Sequence, residues 1–176
     1  MPPLFMKSIS LTLQAEGQAT PVEFNCNVRI ATIEVEAGDV VTFEPLCEDG
    51  AYSESEPPTY AMHLVGAQDW TSNTVPASIG LARYLDDFAG LSAAFEFQAH
   101  GQDVAASADQ PAKAGTLILQ APSYGGEKST YAELDVSMPI VGKPTNVVAP
   151  TAFRAAGRAA AQAMKDAAAP AAEDAA

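Results

Sequence analysis

Thr59-Tyr60-Ala61-Met62-His63-Leu64-Val65-Gly66-Ala67-Gln68-Asp69-Trp70, followed by the run from Asn73 to Gly90, decides the fold, because the hydrophobic period changes within it from that of a strand to that of a helix. Tyr60, Met62 and Leu64 take one phase, and Ala61, His63 and Val65 take the other. Apolar groups on both phases predict a central strand covered on two faces. Ile79, Leu81, Ala82, Leu85 and Phe88 then recur at helical spacing, with Thr74 as N-cap, Pro76 in the first turn and Gly90 as the stop. Asp86 and Asp87 point in different directions on a helix, so they make a solvated end rather than a catalytic pair. Trp70 lies at the corner between the two elements, where its ring is expected to be buried and its indole N–H bonded.

Strand periodicity extends outward on both sides. Ile9, Leu11 and Leu13 alternate with Ser8, Ser10, Thr12 and Gln14, which predicts a strand with one buried and one wet face. After the turn at Ala15 to Gln18, Val22, Phe24, Cys26, Val28 and Ile30 oppose Glu23, Asn25, Asn27 and Arg29. The two runs predict a hairpin. Past Ile30 the phase shifts to Ala31, Ile33 and Val35, the mark of a bulge or a change of partner. Val40 to Phe43 follows a turn at Glu36 to Asp39. Downstream, Ala93, Phe95, Phe97 and Ala99 form one strand, Thr116 to Gln120 another, and Ala132, Leu134, Val136, Met138 and Ile140 a last one. Pro139 cannot donate to a ladder, so that end is expected at an edge or beyond the sheet.

Residues 44–58 break the rhythm, with Glu48, Asp49, Tyr52, Glu54 and Glu56 among Gly50, Ser53, Ser55 and Pro57-Pro58. They read as a long acidic loop, and such loops in compact domains are usually either functional or mobile. The carboxylates fit no EF-hand spacing, and no His or Lys stands by to complete a catalytic set. His63 reads as a satisfied strand residue, because His100, the other histidine, leaves a different strand.

The chain has 176 residues, 48% of them hydrophobic, enough for one domain with a real core. A β domain over 1–148 and an Ala-rich extension over 149–176, with high helix propensity as far as Pro170, account for its length. Twenty-two acidic residues against nine basic ones give a formal charge of −13. That balance disfavours a surface built to hold phosphates; it is compatible with DNA passing nearby, and equally with a charge that only keeps the protein soluble. No signal peptide pattern precedes the first strand, and no apolar run approaches the roughly 20 residues of a membrane span. Cys26 and Cys47 lack CxxC spacing, so zinc is disfavoured, as is a disulfide between them in a reducing cytoplasm. GxSxG, HExxH, GxxxxGK[ST] and GxGxxG are all absent from the sequence. No catalytic residue, metal or cofactor is therefore expected.

The succession of the Thr59 to Gly66 strand, Gln68-Asp69-Trp70, the helix closing on Tyr84-Leu85-Asp86-Asp87-Phe88-Ala89-Gly90, Ala94-Phe95-Glu96-Phe97, the Ala114 to Gln120 strand and the last strand into Val141-Gly142-Lys143-Pro144-Thr145 resembles the major tail tube proteins of long-tailed (siphovirus-like) bacteriophages. The resemblance covers about half of the chain, and its motifs are soft patterns. It implies a mainly β, sandwich- or barrel-like domain with one flanking helix. It also implies a structural virion protein that assembles in the host cytoplasm as stacked hexameric rings, meets other tail proteins and lets DNA pass without specific binding. Glu48, Asp49, Tyr52, Glu54 and Glu56 would then lie in the loop that joins rings, and Trp70, Phe88, Gly90, Phe95 and Phe97 would anchor the subunit. A head decoration or tail-completion protein, or another β-sandwich binding or adhesion module, shares the same acidic β pattern.

Overall fold

The computed structural model describes residues 9–24, 28–43, 52–71, 79–99, 106–126 and 132–148, together with Phe153, Ala155, Ala156 and Ala159. The fold is mainly β. In chain order the strands are β1 (Ser10–Ala15), β2 (Val22–Phe24), β3 (Val28–Glu36), β4 (Val40–Phe43), β5 (Tyr52–Ser55) and β6 (Thr59–Ala67). The helix α1 (Leu81–Asp87) follows, and then β7 (Ser92–Gln98), β8 (Ala112–Ile118) and β9 (Glu133–Val147). Seven strands form one antiparallel sheet in the order β2-β1-β7-β8-β9-β6-β3, while β4 and β5 form a separate two-stranded sheet.

That order demands curvature. Strands β2 and β3 stand at opposite edges of the sheet, yet Phe24 and Val28 are only four positions apart in the chain. Four Cα steps reach at most about 15 Å, whereas seven flat strands would set the edges about 29 Å apart. The sheet therefore curls on itself. Its inner face carries Leu11, Leu13, Val22, Phe24, Phe95, Leu117, Leu134, Met138, Met62 and Leu64, all in the core cluster, and α1 joins them through Leu81, Ala82, Tyr84 and Leu85.

The alternation that marked the strands is set by this inner face. On β9, Leu134, Val136, Met138 and Ile140 are buried, while Glu133, Asp135, Ser137 and Pro139 are exposed. Strand β6 is central, between β9 and β3, with Leu64 opposite both Val136 and Ala31. Leu11 lies opposite Phe24 and Leu13 opposite Val22 in the expected hairpin of β1 and β2.

Several expectations need correction. The apolar run from Val22 to Ile30 is two strands, not one, and the register shift falls between Val28 and Ile30 rather than after Ile30. Period alone cannot reveal that a chain changes sheet edge while keeping phase. The wet face expected for β1 is buried: Ser10, Thr12, Glu96 and Gln98 on β1 and its neighbour β7 are almost fully covered. Ser10 Oγ donates to Glu23 Oε1 at 2.9 Å, so part of this polar layer is bonded within the sheet, while Thr12 Oγ1 has no partner among the described residues. Pro139 is not at an edge, since it faces Ala61 in the β6–β9 ladder. It is tolerated because the β8 ladder has ended one residue away, at the pair Leu117–Ile140.

The helix is shorter than expected. Its N-cap is Gly80 without a side-chain cap, not Thr74, and Thr74 and Pro76 lie outside the described residues. Gly80 is required there, because a Cβ would overlap the backbone and carboxylate carbon of Asp69. Asp69 instead lends its carbonyl to the Arg83 N–H at 3.3 Å, which satisfies one free helix donor. Gly90 takes a positive φ of 83° just beyond the helix, and its N–H donates to the Leu119 carbonyl at 2.8 Å. Tyr84, absent from the predicted apolar face, is the largest fully buried side chain. Cys26, Cys47, His100 and most of 149–176 fall outside the described residues, although Phe153, Ala155, Ala156 and Ala159 are helical.

Candidate assembly surfaces

The acidic segment 44–58 is not a simple loop. Glu48 and Asp49 lie outside the described residues, but Tyr52 opens β5 opposite Phe43, and Glu54 faces Val41. Strands β4 and β5 thus make an arm whose two strands pair, among the described residues, only with each other. Its neck is narrow: the Glu56 N–H donates to the Asp39 carbonyl at 2.9 Å. Gly38 permits this closure, because a Cβ there would overlap the carbonyl oxygen of Glu56.

The arm has little of its own to hold it. Val40 and Val41 are 66% and 56% exposed, and Ser53, Glu54, Ser55 and Glu56 are exposed as well. Asp39, Glu54 and Glu56 make no ion pair among the described residues. An isolated two-stranded ribbon is marginal in water. The alternation that should have revealed β5 is hidden, because Tyr52 to Ser55 carries only one large apolar side chain.

On the outer face of β3, β6 and β9, His63 bridges three strands. Its Nε2 lies 2.8 Å from Asp135 Oδ1 and its Nδ1 3.5 Å from Glu34 Oε1, so it is a paired strand residue. Among the described residues no group of His, Cys, Asp and Glu could hold a metal ion. Arg29 reaches Glu133 at 3.3 Å along the same face. Exposed pairs of this kind stabilise little.

The structural anchors separate into two groups. Phe95 and Phe97 are buried on β7, and the Phe95 ring lies over Gly115 of β8, where a Cβ would come within 3.1 Å of it. Phe88 and Trp70 are partly buried against the core, and Phe88 stacks at 4.9 Å on Tyr84. Trp70 Nε1 donates to Gln68 Oε1 at 3.2 Å, and its ring meets Tyr124 edge-on at 5.2 Å.

Gln68, which sequence reasoning did not single out, organises this corner. Its two Nε2 hydrogens serve three carbonyls, of Ser123 at 2.8 Å, Glu133 at 2.8 Å and Gly125 at 3.1 Å, so one of them is shared. The amide thereby ties the turn after β8 to the start of β9. Gln68→Ala should cost about 0.5–1.5 kcal/mol, because the bonds are exposed and water takes over the freed carbonyls. The sole tryptophan reports the change: its emission should shift to the red in Gln68→Ala, and an unchanged spectrum and melting temperature would contradict this role.

No protein-family model matches the chain, and no curated protein sequence matches it. Among solved structures, it is similar to a chain in the tail of an empty gene transfer agent particle, obtained by helical refinement with C6 symmetry, at a TM-score of 0.48 and 14% identity over 80% of this chain and 96% of that one. It is also similar to a chain in the virion of a native gene transfer agent particle, at a TM-score of 0.46 and 15% identity over 78% of this chain and 95% of that one. A likeness of this degree carries no argument about role.

Proposed function

We propose that this chain is a structural subunit of a phage-type tail, which self-assembles into stacked hexameric rings that form a tube for DNA ejection. The observation that carries the proposal is the exposed β4–β5 arm, with bare valines, carboxylates that make no ion pair among the described residues and a neck closed by the Glu56–Asp39 bond that Gly38 permits. A monomeric protein gains nothing from such a projection, whereas an assembling one needs a limb that reaches a neighbour. The residue pattern from Thr59 to Thr145 supports the same reading.

Contacts of one patch with a different patch on the next copy close into rings, and repetition along an axis makes a tube. The outer edges of β2 and β3 are free of strand partners among the described residues and supply candidate side-to-side joints. The outward carboxylates Glu34, Glu133 and Asp135 offer an acidic wall that repels a polyanion. The extension 149–176 is assigned to contacts with other tail proteins or neighbouring subunits.

Negative-stain electron microscopy and light scattering over a concentration series test the proposal. Rings or hollow tubes are the expected result. A chain that remains monomeric at every concentration would overturn it in favour of a binding module.

A further inference from the structure

Strand β9 pairs with β6 from Glu133 to Ile140 and with β8 from Ile140 to Val147, across a bulge at Gly142 to Pro144. Past Ile140, the side that faced β6 has no strand partner among the described residues. In the same register, the chain preceding β6 would run beside this stretch, and that chain is β5. It does not do so, because β5 pairs with β4 alone. Pro57 and Pro58, which have no N–H to give, stand where the ladder would continue. The arm thus leaves a row of backbone donors and acceptors open on β9.

Charge and apolar surface match across the two features. Arg29 and Arg83 are ion-paired, whereas Lys113 and Lys143 make no ion pair among the described residues. Both lysines lie on the β8–β9 end in question, Lys143 exposed within the bulge and Lys113 with its Nζ 2.6 Å from Asn146 Oδ1. The arm carries Glu54 and its neck Asp39 and Glu56, none of which makes an ion pair among the described residues. Val141 and Val148 are 60% and 55% exposed, as are the arm's valines to a similar degree.

We infer that the open side of β9 from Val141 to Val147 receives the β4–β5 arm of a second copy of this chain, whose backbone completes the ladder while its carboxylates meet Lys143 and Lys113. The inference rests on the self-assembly reading above and names the surface that the arm seeks.

Charge reversal tests it in the full chain at low ionic strength, with folding checked by circular dichroism. Lys143→Glu should raise the concentration needed for assembly by about tenfold or more, and Glu54→Lys alone should do the same. The combination Lys143→Glu with Glu54→Lys should restore assembly to within about threefold of the wild type. Lys143→Glu with Glu16→Lys, of equal net charge but altered in the β1–β2 turn, should not. Normal assembly of Lys143→Glu, or equal rescue by Glu16→Lys, overturns this inference while wild-type tubes keep the proposed function intact. A wild type that never assembles overturns both.

Discussion

A chain in which residues 40–55 are replaced by Asn-Gly should fold and fail to assemble. Asp39 and Glu56 are already paired at the neck, so a two-residue turn of the hairpin type can close the chain there without disturbing β3 or β6. The strands removed belong to no other sheet, and their described side chains are exposed. Stability should therefore change by less than about 1 kcal/mol. Assembly should be lost altogether, since the arm is the limb assigned to reach the neighbour. A deletion from Cys47 to Glu56 alone would be a poorer test, because it removes β5 and leaves β4 with an unpaired edge. Normal tubes from the arm-less chain, seen by electron microscopy, would remove the arm from the interface.

The second large effect belongs to Tyr84. Its hydroxyl accepts from the Ala15 N–H at 2.8 Å and donates to Gln18 Oε1 at 2.8 Å, which pins α1 to the β1–β2 turn. Its ring meets Phe24 edge-on at 5.2 Å. Tyr84→Phe keeps the ring, removes both hydroxyl bonds and leaves the Ala15 N–H with only its longer bond to Gln18 Oε1 at 3.3 Å, at a cost of about 1–2 kcal/mol near neutral pH. Burial pushes the phenol from its ordinary 10 up to about 12. Below pH 10 the group is protonated in both the folded and the unfolded chain, so it adds no pH dependence. Between pH 10 and 12 the unfolded chain gives up its proton while the folded one keeps it, so stability falls by about 1.4 kcal/mol per pH unit. The gap between wild type and Tyr84→Phe should therefore narrow across that window. Urea unfolding of both chains at pH 8, 10 and 11.5 measures it, and a gap that stays constant would show that the phenol is not held neutral by burial.

The architecture was legible where side-chain period is a local property. Strands β1, β6, β7 and β9 alternate because one phase faces the curled interior, and Leu134, Val136, Met138 and Ile140 announce that phase without knowledge of any partner. Helix α1 was legible through Leu81, Ala82 and Leu85, but its start was not, since Gly80 is chosen by the close approach of Asp69 from the preceding segment. The arm was half legible. Its acidic, Pro-terminated composition marked an unusual segment, while the pairing of β5 with β4 has almost no apolar signature.

From its own order of residues, this chain determined a mainly β class, one helix after a central strand, an acidic surface and a segment from Glu44 to Pro58 unlike the rest, because composition and period act over a few neighbouring residues. The tertiary structure alone decided that Val22 to Ile30 splits between opposite sheet edges, that Glu96 and Gln98 are buried, that Tyr84 and Gln68 are joints, and that β9 has, among the described residues, no partner on its β6 side past Ile140. Each of these depends on contacts between residues far apart in the chain, and such contacts exist only once the sheet has curled and closed its core.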